Sequence, residues 1–215
     1  MIIDEKRAII REYQNRVMGF IFATITPVTI LFGLPTSQHN LPGWWHSVSE
    51  TYYATDGIIM IGLLSIITLL SITHRSNNRL EKLLFFLCGI SMLGILTFPH
   101  GLEEFEYAGV FMASHYVSGK LHVIFATIMF ITLGAISVLC FPKQLSDTLS
   151  EKKKTLTRRV YLANGISIFV FSLIIACRFI FNLYGWLVII CEFVIFTTFG
   201  VNLLIQSGFF KYLRD

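Results

Sequence analysis

Apolar residues in this chain neither alternate with polar ones nor recur as a single helical stripe. They gather into six nearly continuous runs, at residues 17–35, 54–73, 83–99, 121–141, 160–182 and 185–206. Each run approaches the ~17–25 residues that a helix needs to cross ~30 Å of hydrocarbon. Lipid offers backbone groups no hydrogen-bond partner, so spanning segments must be helices or the strands of a closed barrel. Continuous runs, rather than period-two alternation, select helices. The pattern predicts an all-α, polytopic six-helix transmembrane bundle. Its parts are an amphipathic N-terminal segment at 1–15, a transmembrane domain at 16–208 and a short tail at 209–215.

The polar stretches between the runs orient them. An even number of spans puts both termini on one side. All of the 17 Lys and Arg except Lys120 and Arg178 fall on that side, in the N-terminal segment, the connections around Arg75–Lys82 and Lys143–Arg159, and the tail. The excess of basic residues in cytoplasmic connections therefore predicts both termini in the cytoplasm, with a bacterial inner membrane as the expected location. Two halves of three spans would have opposite orientation, the formal layout of an inverted-repeat transporter, but no internal sequence similarity accompanies it.

Composition narrows the class further. Hydrophobic residues make up 54% and charged residues only 14%, against roughly a quarter charged in soluble domains. The net charge of +4 does not point to nucleic acid. The run Glu151-Lys152-Lys153-Lys154 with Arg158 and Arg159 reads as a juxtamembrane stop that meets anionic lipid head groups. Ile2, Ile3, Ala8, Ile9, Ile10 and Tyr13, set among charges, suggest a helix lying along the inner surface. No small-residue cleavage site follows the first apolar run, so it does not read as a removable signal peptide. Cys88, Cys140, Cys177 and Cys191 all lie within spans, which predicts buried thiols rather than structural disulfides.

Chemistry concentrates in two long outer connections, 36–53 and 100–122, with all of the 6 histidines but His74. In the first, Ser49, Tyr52 or Tyr53, and Asp56 recur at helical spacing, hence on one face if that stretch is already helical. Helix capping by the hydroxyls explains the same pattern. Trp44 and Trp45 read as interfacial anchors. In the second, His115 and His122 are seven residues apart, which is ~10 Å along a straight helix. A single metal ion, held at ~2 Å from each nitrogen, would need His115 on a folded loop. Arg178 and Glu192 are intramembrane charges on the last two spans, joined by a tight turn near Leu183–Tyr184. Such charges face the bundle and seek partners, so an Arg178–Glu192 pair is expected, either structural or part of a ligand or proton site. Asn164, Asn182, Asn202 and Gln206 would extend a polar seam along the same hairpin.

The stretch 47–56 ahead of an apolar span, Pro99 at a span end, His122 within LHVIFATIMF and Glu192 in the last span resemble a family of uncharacterised bacterial six-helix membrane proteins, over about residues 40–210. More distantly, the Ser, Asp and His set resembles the alkaline-ceramidase-like (CREST) membrane hydrolases. That superfamily has seven spans against six here, and a close His pair on a late helix that this chain lacks. The resemblance implies a zinc ion and hydrolysis of a lipid-like amide or ester. Ser49, Asp56 and His122 would match its motif, and His46, His100 or His115 would supply the remaining ligands. Three functions compete: such a hydrolase, with Ser49, Asp56, Arg178 and Glu192 as candidate catalytic residues; a small-solute or ion carrier or sensor; and an assembly subunit whose outer loops bind a partner protein. In the first two, a lipid-like or small-molecule ligand enters from the outer face. Haem carriage is disfavoured because no two histidines lie in mid-span.

Overall fold

The computed structural model describes residues 2–33, 47–49, 57–100, 106–145, 149–181 and 186–210, and is all-helical apart from one small hairpin. Six α-helices follow in order: α1 (Ile2–Gly33), α2 (Gly57–Ile72), α3 (Arg79–Thr97), α4 (His115–Ala135), α5 (Glu151–Phe181) and α6 (Trp186–Gln206). Each packs on the next, and α6 returns to α1, so the bundle closes into an up-and-down ring. Among the described residues, four helical stretches, Arg79–Thr97, His115–Lys143, Glu151–Arg178 and Leu187–Gln206, are long and apolar enough to cross a membrane. The chain is thus an all-α protein with the character of an integral membrane protein.

Local sequence explains where these helices begin and end. Asn78 caps α3, its side-chain oxygen accepting the Leu80 N–H at 2.9 Å, which satisfies one of the orphan donors of a helix start. No Gly or Pro interrupts residues 2–18, and α1 runs unbroken from Ile2 through the expected boundary at Asn15 into the first apolar run. At its far end α4 widens into a π-turn, Ile136–Cys140, and then tightens to a 3₁₀ turn, Phe141–Lys143. Pro142 supplies no N–H and its ring disfavours a continuing α-helix, which accounts for the ending. Several hydroxyls within the helices are satisfied locally, whereas those of Thr26 and Thr197 are buried without a partner. Thr29, Thr68, Thr97, Thr127 and Ser172 each donate to the carbonyl four residues back, at 2.6–2.8 Å, so they add no unpaired polar group to an apolar surface.

The interior is built around Phe199 of α6, which is fully buried and meets Phe22 of α1, Phe85 of α3 and Phe141 after α4 at centroid distances of 5.0, 6.4 and 6.1 Å. Outward positions are apolar too: Ile58 is 80% exposed, Leu69 64% and Leu173 64%. An aqueous surface would not favour this, whereas hydrocarbon accepts helices that are apolar all round. Gly19 and Gly200 let α1 and α6 approach closely. A Cβ at Gly200 would lie 2.6 Å from the Ala23 nitrogen and 2.7 Å from the Gly19 carbonyl oxygen.

The two ends of the bundle differ. One, the basic end, holds Arg16, Thr73, Glu81, Gln144 and Gln206. The other, the histidine end, holds Ser47–Ser49, His100 and His122. There a two-residue hairpin pairs β1 (Tyr107–Ala108) with β2 (Ala113–Ser114). Gly109 turns it at φ +75°, with no room for a Cβ against the Thr97 carbonyl oxygen, and Met112 also takes positive φ, 49°.

Candidate functional site

At the histidine end a cavity of about 320 Å³ lies between the short Ser47–Ser49 segment, His100 and the helices α4, α5 and α6. Its polar lining consists of Ser47, Ser49, His100, His122, Thr127, Ser172 and Glu192. The rest of the wall is apolar, with Phe130 and Ile131 from α4, Ile175 and Ala176 from α5 and Val188 from α6. Val123 and Ile131, both on this wall, are 37% and 53% exposed. The cavity wall is thus partly open to the exterior along α4.

His122, Glu192 and the two serines each have an identifiable local tether. His122, one-third of the way along α4, is buried and its Nδ1 lies 3.0 Å from the Phe98 carbonyl oxygen at the end of α3. A carbonyl can only accept, so Nδ1 carries the proton and the neutral ring keeps its lone pair on Nε2. Ser118, one turn earlier, donates to the Pro99 carbonyl at 2.7 Å, so two successive turns of α4 hold the end of α3. His100 stacks on His122 at 5.8 Å between centroids, and its buried Nδ1 has no hydrogen-bond partner. On the opposite wall the Val48 N–H donates to Glu192 Oε2 at 2.6 Å, and the hydroxyls of Ser47 and Ser49 lie 2.9 Å apart. Glu192, half-buried on α6, thus pins the segment that carries both serines.

Of the residues singled out from sequence, Ser49, His100, His122 and Glu192 meet in this cavity. His115 does not. It opens α4, two helical turns from His122 on the same helix, so the folded loop that a shared ion requires is not formed there. Arg178 is half-buried near the end of α5 and does not line the cavity. His46 and Asp56 lie outside the described residues, as do Tyr52, Tyr53 and Asn182. Among the described residues no group of three or more His, Cys, Asp or Glu side chains could hold a metal ion. The adjacent His100 and His122 are two donors, half of zinc's tetrahedral complement, so the described residues do not by themselves fit the ion. Cys88, Cys140 and Cys191 are buried free thiols, and Cys177 is half-buried.

The polar seam on α5 and α6 forms, but at the other end from Glu192. Asn164 donates to Asn202 at 2.7 Å, and Asn202 to Ser137 at 3.0 Å. Tyr161 donates to Gln206 at 3.1 Å, and Gln206 to Gln144 at 2.8 Å. Gln144 then donates to Glu81 at 2.7 Å. Glu81 is fully buried, also accepts from Ser76, and lies 3.3 Å from His74 Nε2. Sequence reasoning passed over His74 and Glu81. The available signal was an acidic residue inside an otherwise basic connection, beside the one histidine outside the two long loops.

Compared with family models, curated proteins and solved structures, the chain finds no match.

Proposed function

We propose that this is a six-span protein of the bacterial inner membrane with both termini in the cytoplasm. In this reading it admits an acyl-chain-bearing molecule from the outer leaflet into the cavity at the histidine end and hydrolyses its ester or amide bond. One observation carries the reading: Ser49, His100, His122 and Glu192, drawn from four separate parts of the chain, line one apolar-walled cavity. An acyl chain has a path in along Val123 and Ile131 on α4, and apolar walls with a few convergent polar groups are the usual form of a small-molecule site.

The chemistry follows from the tethers. With Nδ1–H held by the Phe98 carbonyl, His122 offers Nε2 as a general base to a water molecule. That water adds to the acyl carbon, and its proton passes through His122 to the departing alcohol or amine. In the Ser47–Ser49 pair, the hydroxyl that accepts from the other donates its own proton to the carbonyl oxygen as charge develops on it. Glu192 is a positioning residue, acting through the Val48 N–H. His46 and Asp56 carry the donor types that would complete a zinc site with His100 and His122, and metal content of the purified protein tests that extension separately.

The test uses the full chain in nanodiscs containing isotope-labelled phospholipid esters and N-acyl lipids, with released fatty acid measured by mass spectrometry. Release that is lost in His122→Ala and reduced in Ser49→Ala and Glu192→Gln is the expected result. A photoreactive fatty acid that crosslinks to Ile131 or Ala176 without any release would replace hydrolysis by carriage or sensing. Neither crosslink nor release would remove the ligand reading altogether. Orientation is checked with single cysteines at Ser37, Ser114 and Ser150: an impermeant outside reagent should label the first two and spare Ser150.

A further inference from the structure

The basic end has a cavity of its own, remote from the site above. It has a volume of about 300 Å³ and is lined by Arg7 and Arg11 of α1, His74, Arg75, Ser76 and Asn77 of the α2–α3 connection, and Lys82 in the first turn of α3. Four permanent cations from three chain segments therefore share one concavity. None of them takes part in the salt bridges among the described residues, which join Arg16 to Glu12, His74 to Glu81 and Lys154 to Glu151. Scattered basic residues would suffice to orient a membrane protein; convergence on one cavity requires a second cause.

The geometry of the connection supplies it. Gln14 of α1 donates to the Thr73 carbonyl at 3.3 Å and accepts the Arg75 N–H at 3.2 Å, so α1 is clamped against the segment that carries Arg75. His74 is buried against Phe85, with ring centroids 3.8 Å apart. Its Nε2 faces Glu81, while its other nitrogen, Nδ1, is buried and has no hydrogen-bond partner. Glu81 contacts two residues of the lining, His74 and Ser76. It is occupied by Ser76, Gln144 and His74 on the interior side, and no salt bridge among the described residues joins it to Arg7, Arg11, Arg75 or Lys82. The N-terminus of α3, with its partial positive charge, lies beside Lys82 and adds to the same field.

We propose that this cavity binds a phosphate group, carried by a lipid head group or free in the cytoplasm. Two or more guanidinium forks match the tetrahedral oxygens of phosphate with paired hydrogen bonds, and a dianion offsets more of the uncompensated positive charge than a carboxylate does. The volume exceeds what a bare phosphate fills, at roughly 30 Å³ per water-sized group, leaving space for the alcohol part of a phosphate ester.

The purified full chain in neutral detergent would be titrated calorimetrically with inorganic phosphate, with short-chain phosphatidic acid, and with short-chain phosphatidylcholine as a zwitterionic control. Saturable binding of phosphate or phosphatidic acid is expected. Binding should weaken on the order of tenfold or more in Arg11→Gln/Arg75→Gln, because each lost charge-assisted hydrogen bond counts strongly in affinity. Lys120→Gln/Lys143→Gln removes the same charge from exposed positions outside the cavity and should bind as the native chain does. Saturation by phosphatidic acid alone identifies a lipid head group, and saturation by inorganic phosphate as well identifies a site open to the free anion. If the double variant unfolds, Lys82→Gln, at an exposed side chain, replaces it. Absence of saturable binding by both probes up to roughly 10 mM, or equal weakening in the two double variants, would overturn the proposal.

Discussion

Replacing Gly200 by Ala should loosen the bundle, and the size of the effect can be worked from the crossing of α1 and α6. The added Cβ would sit 2.6 Å from the Ala23 nitrogen and 2.7 Å from the Gly19 carbonyl oxygen. Restoring the first distance to 3.4 Å, the near limit of ordinary contact, means opening the helix pair locally by about 0.8 Å. The obstacles are backbone atoms of another helix, so no rotamer change removes the overlap. Overpacking of this kind costs about 1–3 kcal/mol. For a chain of this length that corresponds to a fall in Tm of roughly 2–12 °C. Gly94→Ala provides the contrast, because its Cβ would meet only side-chain atoms, the Phe125 ring at 2.3–2.5 Å. Thermal unfolding in detergent, followed by circular dichroism, should show Gly94→Ala partly rescued by Phe125→Leu, a coupled pair. Gly200→Ala should not be rescued by Ala23→Gly, since the Ala23 nitrogen stays where it is. A Gly200→Ala protein as stable as the native one, or one restored by Ala23→Gly, would refute the claim that backbone contact sets the α1–α6 distance.

Three further outcomes are expected. Glu192→Gln weakens a charge-assisted hydrogen bond from the Val48 N–H, so hydrogen exchange at that amide should accelerate and the Tm should fall by the equivalent of about 1 kcal/mol; unchanged exchange would show that Glu192 does not pin the Ser47–Ser49 segment. Asn202→Leu removes hydrogen bonds to Asn164 and Ser137 at a fully buried position. It should cost about 1–3 kcal/mol, more than Asn164→Leu/Asn202→Leu costs beyond Asn164→Leu alone, because the single change strands the Asn164 amide. Arg178→Gln and Glu192→Gln, singly and together, test whether the two charges on neighbouring helices compensate one another. A pair predicts a double variant less damaged than the two single losses added, whereas additive losses would assign each charge its own partner.

What the linear order of residues determined here is what depends on composition over a window of about 20 positions. Hydrocarbon forbids unpaired backbone, so runs such as 121–141 and 185–206 had to be helices whatever their neighbours did. The same reasoning found the intramembrane charges and the concentration of histidines in two connections. Which of them meet was not legible, because it depends on rotation about each helix axis, and in a chain apolar on all sides no stripe reports that rotation. Ser49, His100, His122 and Glu192 share a cavity because the Phe98 carbonyl orients one wall and the Val48 N–H the other. His115 is excluded by the helix that carries both it and His122. Asn164, Asn202 and Gln206 were recognisable as polar groups needing partners, but the partners, Ser137 for Asn202 and Gln144, leading on to Glu81, for Gln206, come from segments remote in sequence. Side-chain amides can donate and accept in several directions, so only the packed ring of helices decided among them.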